Sequence, residues 1–577
     1  MGDINFMKTK VSILFSIMMM LGMAVSVQAA DKSVMARPTQ ANVSINGQPM
    51  NQMDAYNIGG SNYFKLRDVA MALKGTKSSF DVAVDTTSNA IRVHTGQAYT
   101  PIGGELEPAK KSAQSGKAAE RQAIPTSSKV YVDGTEIQLT SYNIGGSNYF
   151  QLRELGEQLH VPVLWRALSS SIHIIAQPEM AIRSIEGVTQ LRTTNDYHYG
   201  NWFEPAARYL FLKDGQLNLL QWDSDKQKIH IQQFNKDYTA AGSKTLNMEL
   251  PKFGGFHQGE DGNYYLVFGQ DNMEESSTKA VYRVVKYNAS WDKLGQVDVS
   301  DVYVSEPFRS GNVTMDSANG KLVVQSTRLR YKTAKDGLRH QSNMTFTIDM
   351  AAMKVLSKSG QFPSNHVSHS FATYVRMDGD RIVYADHGDA YPRSIVLQVE
   401  QGGKITKKID LINIPGKIGD NYTGANLGGL EVSASSYLAI GANSTAGSQD
   451  GKGKNVFLSV VPKNAQDQSI IKPIWLTQHT SEDGVFIRDT YISKINDNKF
   501  VLLWTESSRL GEGMKYAVVD GQGTMLKQPT YLGGVPSPGN MMPLVQDQSI
   551  TWYYANPMAG QITSKPSAIE WYTLRVE

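Results

Sequence analysis

From about residue 183 to its end, the chain alternates short apolar runs with turn residues. Helical stripes are absent here, and the runs are rich in Tyr, Val, Ile, Leu and Trp, as is typical of β-strands. Turn residues such as Asp-Gly or Asn-Gly, which favour β-hairpins, lie beside the runs. The seven clearest runs cover residues 209–212, 264–268, 321–325, 381–384, 437–440, 500–504 and 550–554.

The turns beside these runs recur at a nearly constant interval. They begin at residues 214, 261, 319, 378, 435, 496 and 547, so successive turns stand 47 to 61 residues apart. A β-rich unit of about 40 to 60 residues that repeats in this way is typical of a β-propeller. We therefore expect residues 183–577 to form a propeller of seven blades. Residues 185–191 are predicted to supply a strand that joins the last blade and closes the ring. Six or eight blades, or a pair of β-sandwiches, are the alternatives.

The first third of the chain has a different pattern, in which a twelve-residue phrase occurs twice. Residues 56–67 read YNIGGSNYFKLR and residues 142–153 read YNIGGSNYFQLR. A helical stripe follows each phrase, and short strands and glycine turns flank it. This duplication predicts two small α+β modules, each a twisted antiparallel sheet on one helix. The stripes are Leu66, Val69, Ala70 and Leu73 in the first copy, and Leu152, Leu155 and Leu159 in the second.

The repeated phrase resembles the stalk module that is named after the N-terminal domain of copper amine oxidases. The resemblance covers about residues 40–180 and implies a structural spacer at the front of a secreted or envelope protein of Gram-positive bacteria. Amine oxidation is not expected, because the sequence contains neither an Asn-Tyr-Asp or Asn-Tyr-Glu cofactor motif nor a His-x-His copper pair. Tyr56, Tyr63 and Phe64 are expected to pack the helix against the sheet.

These patterns divide the chain into five segments. We predict a signal peptide over residues 1–29, stalk-like modules over 40–106 and 129–178, a flexible linker over 107–128, and the propeller over 183–577. Lys8 and Lys10 precede an apolar run over residues 11–25, and small residues end at Ala29, which is typical of a secretion signal. The alternative is an uncleaved anchor, although the run is shorter than a membrane span requires. No transmembrane segment is expected after cleavage.

Composition agrees with a secreted protein that contacts no nucleic acid. The chain of 577 residues contains no cysteine, so its stability must come from large cores and not from disulfides. The formal net charge of only +3 does not suggest the concentrated basic face that nucleic-acid binding requires. We therefore predict a secreted or cell-wall-associated protein.

The densest polar segment covers residues 366–393. Its side chains suit a ligand pocket at the channel mouth, a metal site, or a polar loop that braces one blade against the next. Asp386 and Asp389 could bind Ca²⁺, alone or with Asp378 and Asp380, but the segment matches no calcium-loop motif. No metal or cofactor is therefore predicted. The candidate ligand-binding residues are His366, His369, Asp386, His387, Asp389 and Arg393.

A second candidate is the aromatic segment over residues 195–203, which contains Trp202. Its rings suit either stacking against a ligand or burial at the base of the first blade.

Motifs of known enzymes are absent from the sequence: there is no sialidase Ser-x-Asp-x-Gly-x-Thr-Trp box, no Gly-x-Ser-x-Gly elbow and no His-Glu-x-x-His helix. We therefore predict a binding or scaffold protein, whose partner is a cell-wall glycan, an extracellular polysaccharide or a protein. The alternative is a polysaccharide hydrolase or lyase with its site at the channel; its catalytic residues are unknown.

Overall fold

The computed structural model describes most of the chain as a mainly β protein. It covers residues 33–50, 53–107, 120–166, 170–176, 179–188, 203–362, 368–420, 422–444, 453–508, 511–555 and 567–576. Within these ranges, no helix has both the length and the apolar character to cross a membrane. The predicted signal peptide, His366 and Trp202 lie outside the described residues.

The N-terminal unit consists of fourteen described strands and two short helices. In chain order they are β1 (Val34–Pro38), β2 (Asn42–Ile45), β3 (Gln48–Pro49), β4 (Ala55–Ile58), β5 (Ser61–Lys65), α1 (Leu66–Leu73), β6 (Phe80–Asp85), β7 (Ala90–Thr95), β8 (Arg121–Pro125), β9 (Lys129–Val132), β10 (Thr135–Ile137), β11 (Ser141–Ile144), β12 (Ser147–Gln151), α2 (Leu152–Gln158), β13 (Val163–Arg166) and β14 (Ser171–Ile174).

Both copies of the repeated phrase contribute to one closed barrel. Its strand order is β1-β4-β5-β12-β11-β8, in which β1, β4 and β5 correspond to β8, β11 and β12. The ring of Tyr56 meets that of Tyr149 edge-on at 5.4 Å, and Tyr63 meets Tyr142 at 5.2 Å. The sequence predicts that Tyr56 and Tyr63 pack the helix against the sheet. The structure corrects this prediction, because both tyrosines fill the barrel. Phe64 does pack with the helix.

The two copies also complete each other's outer sheets. Strand β2 of the first copy pairs in parallel with β14 of the second, and β7 of the first pairs in parallel with β9 of the second. The sequence predicts a flexible linker over residues 107–128. This prediction is wrong for residues 121–125, which form the barrel strand β8. Residues 108–119 lie outside the described residues. The predicted helical stripe over Leu66–Leu73 is confirmed, since all four of its apolar residues are buried.

The remaining strands form a propeller-like series of sheets. They are β15 (Met180–Val188), β16 (Arg208–Lys213), β17 (Gln216–Asp223), β18 (Lys228–Phe234), β19 (Ala240–Asn247), β20 (Lys252–Gln258), β21 (Tyr264–Gly269), β22 (Tyr282–Tyr287), β23 (Lys293–Val299), β24 (Val304–Pro307), β25 (Thr314–Ala318), β26 (Lys321–Lys332), β27 (Arg339–Asp349), β28 (Lys354–Lys358), β29 (Ser368–Asp378), β30 (Arg381–Ala390), β31 (Arg393–Gln401), β32 (Lys404–Asn413), β33 (Asn426–Val432), β34 (Ser436–Ser444), β35 (Lys454–Pro462), β36 (Ile474–Trp475), β37 (Phe486–Asn496), β38 (Lys499–Ser508), β39 (Gly511–Val519), β40 (Met525–Tyr531), β41 (Leu544–Gln546), β42 (Ser549–Ala555) and β43 (Ser567–Arg575), with one 3₁₀ turn at Ser481–Asp483.

Consecutive strands form antiparallel meanders of four. The meanders are β16–β19, β20–β23, β25–β28, β29–β32, β33–β36 and β37–β40, and each of the seven apolar runs predicted from the sequence lies in one of the strands. The last sheet has the order β15-β43-β42-β41. Strand β15 thus pairs with the last strand of the chain, which agrees with the predicted closing strand. Residues 189–191 of that prediction lie outside the described residues.

Two neighbouring meanders join into a single sheet through long strands. Strands β26, β27 and β29 have twelve, eleven and eleven residues, and β27 meets β29 where Ser342 pairs with Ser368. Strand β24 adds to the same sheet by pairing with β26. The extension consists of β24 and the C-terminal half of β26, and it lies at the end of the meander where β25 begins. The N-terminal end of β25 pairs with the middle of β26, so the rest of β26 reaches beyond β25.

Direct contacts join the N-terminal unit to the meander β37–β40 and to the last sheet. Leu164 and Ile175 belong to the same apolar core as Trp552 and Trp571. The carboxylate of Glu179, which is only 9% exposed, accepts hydrogen bonds from Lys77 Nζ (2.9 Å) and from Lys527 Nζ (3.2 Å). One carboxylate therefore holds a lysine of the first module and a lysine of β40.

Replacing this carboxylate should weaken the junction in a pH-dependent way. Burial opposes ionisation, but the hydrogen bonds from Lys77 and Lys527 hold the pKa of Glu179 below its usual value. Its contribution is therefore complete above about pH 4, the pKa in an unfolded chain, and is lost as the pH falls through the lower folded pKa. We expect Glu179→Gln to cost about 1 kcal/mol in urea unfolding at pH 7 and less at pH 3. Glu157→Gln, at an exposed position, should cost nothing; an equal loss for Glu179→Gln at both pH values would contradict the argument.

Candidate functional site

One cavity of about 370 Å³ lies among strands of the six meanders and of the last sheet. Strands β16, β20, β25, β29, β33, β37 and β41 each contribute at least one lining residue. A cavity lined by one strand from each sheet is the geometry of a central channel.

Two asparagine side chains at the cavity wall form hydrogen bonds to the backbone of the neighbouring inner strand. Asn312 accepts a hydrogen bond from the Thr373 amide (2.8 Å) and donates to the Thr373 carbonyl (2.9 Å). Asn426 donates to the Arg488 carbonyl (2.8 Å). Because both amides are used in this way, they position strands and are not free for a ligand.

A carboxylate and a tyrosine form a hydrogen-bonded group on β37. Ser537 Oγ donates to Asp489 Oδ2 (2.8 Å) and lies 2.7 Å from the hydroxyl of Tyr491, which donates to the Gly539 carbonyl (2.7 Å). Burial raises the pKa of Asp489, and burial together with Asp489 raises that of Tyr491. The group therefore places an acid with an elevated pKa in the channel wall.

Strand β29 adds a hydroxyl and a cation to the same cavity. The hydroxyl of Tyr374 has no hydrogen-bond partner among the described residues, and burial raises its pKa. The guanidinium of Arg376 binds both oxygens of Glu431, at 2.8 and 3.2 Å. Although burial opposes the charge, Glu431 holds the pKa of Arg376 above its usual value. Arg376 is thus a fixed cation, and Tyr374 is a free donor.

The rest of the wall is aromatic and apolar. Tyr209 meets Phe256 edge-on at 5.7 Å, and Met315 and Met541 also line the cavity. Gly428 lets β33 approach β37 closely, because a Cβ there would lie 2.0 Å from Thr490 Oγ1. Phe203, the only residue of the predicted aromatic segment 195–203 that the structure describes, lines the same cavity.

The site predicted from the sequence is in a different place, within the sheet that two meanders form together. Asp386, His387 and Asp389 lie on β30 and are buried between β29 and β31. The expectation of a polar loop is therefore wrong: pairing on both sides satisfies the backbone, so the strand continues through the polar residues.

The side chains of this cluster bind one another and nearby loops. Asp386 accepts a hydrogen bond from Ser370 Oγ (2.5 Å), and burial raises the pKa of Asp386 well above its usual value. His387 Nε2 lies 2.9 Å from Thr423 Oγ1, and burial lowers the pKa of His387 to about 3. His387 is therefore neutral at physiological pH.

The remaining predicted residues have structural contacts as well. His369 Nδ1 lies 2.9 Å from the fully buried carboxylate of Asp389. The guanidinium of Arg393 donates to the carbonyls of Pro415 (2.9 Å), Asp420 (2.6 Å) and Tyr422 (2.8 Å). Arg393 thus holds the loop that follows β32.

None of the predicted residues that the structure describes lines the channel cavity. Asp378, considered above as a calcium ligand, is bound by Lys463 and Arg381. In the described ranges, no group of three or more His, Asp or Glu side chains is arranged to hold a metal ion. Sequence reasoning missed Tyr374, Asp489 and Tyr491, whose only signal was a position on the first strand of a meander.

Comparisons with known proteins identify no relative by sequence. No family model matches the chain, and no curated protein matches it either. Among solved structures, a protein of unknown function from Dyadobacter fermentans is similar at 12% identity and a TM-score of 0.35, over 59% of this chain and 99% of that one.

Two further solved structures are a neuraminidase-like protein and an arabinofuranosidase. A neuraminidase-like protein of subtype N10 from a bat influenza A virus has 7% identity and a TM-score of 0.34, over 56% of this chain and 98% of that one. The α-L-arabinofuranosidase PaAbf62A from Podospora anserina has 12% identity and a TM-score of 0.26, over 45% and 89%. At such values, these likenesses carry no argument about the activity of this chain.

The buried carboxyl of Asp386 should make the native protein less stable as the pH rises. A folded pKa above the unfolded value of about 4 means that stability is complete at low pH. It then falls by about 1.4 kcal/mol per pH unit until the folded pKa is reached. Asp386→Asn removes the ionisation, so we expect this variant to melt above the native protein at pH 7, with the difference closing toward pH 4. The exposed Asp380→Asn should follow the native curve. A lower melting temperature for Asp386→Asn at pH 7 would show that Asp386 is a stabilising carboxylate.

Proposed function

We propose that this protein is a secreted or envelope-associated binding protein that takes a hydroxyl-rich ligand, an extracellular glycan, into the central channel. The observation that carries the proposal is the cavity to which all seven inner strands contribute. Its volume of about 370 Å³ falls within the range of small-ligand pockets. Such pockets combine apolar walls with a few well-placed polar groups, as this one does.

The architecture in this proposal is a seven-bladed propeller. Six four-stranded meanders and the sheet β15-β43-β42-β41 are its blades, and the convergence of their first strands on one cavity supports a ring in preference to two sandwiches. Strand β15 closes the ring because it pairs with β43. Closure would remove the exposed sheet edges that promote aggregation.

The chemistry of the cavity favours a glycan over a charged ligand. Arg376 is neutralised by Glu431, so the cavity does not offer a free cation on β29. The available groups are the free hydroxyl of Tyr374, the carboxyl of Asp489, and aromatic faces such as that of Tyr209. Hydroxyl and carboxyl groups can bind sugar hydroxyls, while the rings cover the apolar faces of a sugar.

The N-terminal unit would act as the spacer between the cell surface and the propeller. The predicted signal peptide and the resemblance to stalk modules support export and a position in the cell wall. The contacts of Glu179 with Lys77 and Lys527 would fix the spacer to the propeller. We infer a scaffold that presents its channel to extracellular polysaccharide.

A hydrolase or lyase is the second candidate, and Asp489 is the observation that favours it. A general acid must be protonated near neutral pH, and burial raises the pKa of Asp489 in that direction. In this version Asp489 would protonate the leaving oxygen of a polysaccharide in the channel, while a water molecule adds to the anomeric carbon and loses its proton to solvent.

Removing the free hydroxyl in the channel tests the binding proposal. We expect Tyr374→Phe to weaken binding of a glycan identified on a glycan array by roughly 5- to 30-fold, because one hydrogen bond of about 1–2 kcal/mol is lost. Isothermal titration calorimetry on the full chain measures this change. Tyr391→Phe is the matched control, since Tyr391 is 66% exposed and does not line the cavity.

Comparison of the native protein with Tyr374→Phe and Asp489→Asn distinguishes a binding protein from an enzyme. If the protein only binds, Asp489→Asn should lower affinity, and no new reducing ends should form from the bound glycan. Turnover that Asp489→Asn abolishes while binding remains would favour the hydrolase. Equal affinities of Tyr374→Phe, Asp489→Asn and the native protein would show that the channel is not the site.

A further inference from the structure

The N-terminal barrel contains two equivalent grooves, each shared between the copies. The first groove, of about 510 Å³, lies between the Gly146-Ser147-Asn148 turn of the second copy and the strands of the first. The second groove, of about 540 Å³, lies between the Gly60-Ser61-Asn62 turn of the first copy and the strands of the second. The duplication therefore produces two related surfaces.

Strand register confirms that the walls correspond residue by residue. Val84 pairs with Ile91 in the first copy, and Trp165 pairs with Ile172 in the second. Lys65 and Arg67, which begin the helix of the first copy, line the first groove; Gln151 and Arg153 occupy these positions in the second. The two grooves differ at two of these corresponding positions. The first groove has Val84 where the second has Trp165, and Lys65 where the second has Gln151.

The first groove is covered by a segment of the chain itself, residues 102–106. Lys65 Nζ donates to the Gly104 carbonyl (2.6 Å), and the Leu106 amide donates to Asp68 Oδ1 (3.1 Å). Residues 102–105 form one wall of this groove. The surface of the first copy therefore binds a short peptide segment in a turned conformation.

The conformation of residues 102–106 requires glycine at two positions. Gly103 and Gly104 have φ values of +97° and +80°, a region that other residues rarely adopt. Glu105 then turns back to accept hydrogen bonds from the Ile102 and Gly103 amides, both at 2.9 Å, and from the Tyr99 hydroxyl (2.7 Å). A Gly-Gly-Glu sequence is thus what the segment needs to keep this shape.

No corresponding segment covers the second groove within the described residues. After β14 the chain turns to the junction, where Ile175 is buried in the core that contains Trp571 and Glu179 binds Lys527. Residues 38–41 line the second groove, whereas their counterparts, residues 125–128, do not line the first. This difference is expected if a covering segment is present in one groove and missing from the other.

The chemistry of the open groove matches an acidic peptide. Trp165 is 40% exposed there, and an exposed tryptophan is a frequent anchor of peptide contacts. Arg153 is exposed and has no ion pair in the described part of the chain. Arg37, on the opposite wall, is paired only with the exposed Glu120 at 3.2 Å, a contact that contributes little.

We propose that the second groove binds a short, turned peptide segment of a partner protein that contains Gly-Gly followed by an acidic residue. The peptide would lie as residues 102–106 lie in the first groove. The side chain of Gln151 would donate to a peptide carbonyl where Lys65 binds Gly104. The ring of Trp165 would cover the glycines, and Arg153 would face the acidic residue.

A synthetic copy of the chain's own covering segment tests this proposal. The probe is the peptide Pro-Ile-Gly-Gly-Glu-Leu-Glu, acetylated and amidated at its ends, titrated into the full chain by calorimetry and tryptophan fluorescence. We expect saturable binding that falls roughly 10-fold or more in Trp165→Ala, and a smaller loss in Arg153→Gln. Both residues are exposed, so the melting temperature should not change.

Matched changes in the first groove and in the peptide complete the test. Arg67→Gln, the counterpart of Arg153→Gln in the covered groove, should leave the affinity unchanged. Peptides with Ala-Ala in place of Gly-Gly, or Gln in place of the first Glu, should bind more weakly. Absence of binding at millimolar peptide, or binding that survives both Trp165→Ala and Arg153→Gln, would overturn the proposal. Concentration-dependent dimerisation without peptide binding would assign the groove to a second copy and overturn it too.

Discussion

The pairing of β15 with β43 is the constraint on which the rest of the structure depends. It joins the segment that leaves the N-terminal unit to the last strand of the chain. A sheet edge left open there would expose unpaired backbone groups. The same segment begins next to Glu179, whose contacts with Lys77 and Lys527 fix the N-terminal unit. The pairing of the first and last strands of this region and the attachment of the N-terminal unit to it therefore depend on a few adjacent residues.

The polar groups near the channel divide into those that hold the fold and those that remain available. Asn312 and Asn426 connect neighbouring inner strands, and Glu431 neutralises Arg376. Within the described residues, the hydroxyl of Tyr374 has no hydrogen-bond partner, and burial raises the pKa of the Asp489 carboxyl. Buried polar groups are costly unless they are paired, so most polar groups at the cavity wall bind other parts of the protein, and a hydroxyl without a partner is an indication of a site.

Local patterns predicted the elements well and the candidate site poorly. The helical stripe at Leu66–Leu73 and the seven apolar runs lie in the expected elements. The density of His and Asp over residues 366–393 indicated a loop with a ligand pocket, yet Asp386 and His387 are buried on β30. Composition does not distinguish a polar pocket from a polar strand interior, because the distinction depends on partners such as Ser370 and Thr423, which come from other segments.

The sequence by itself determined the repeat of strands, the duplication and the absence of disulfides, because each depends on local pattern or composition. Only the tertiary structure decided how these parts combine. Tyr56 and Tyr149 fill one barrel because the copies pair with each other, which two identical phrases do not reveal. Likewise, the cavity exists because residues from seven strands that are distant in sequence come together. Convergence of this kind depends on long-range pairing and closure, which no local pattern encodes.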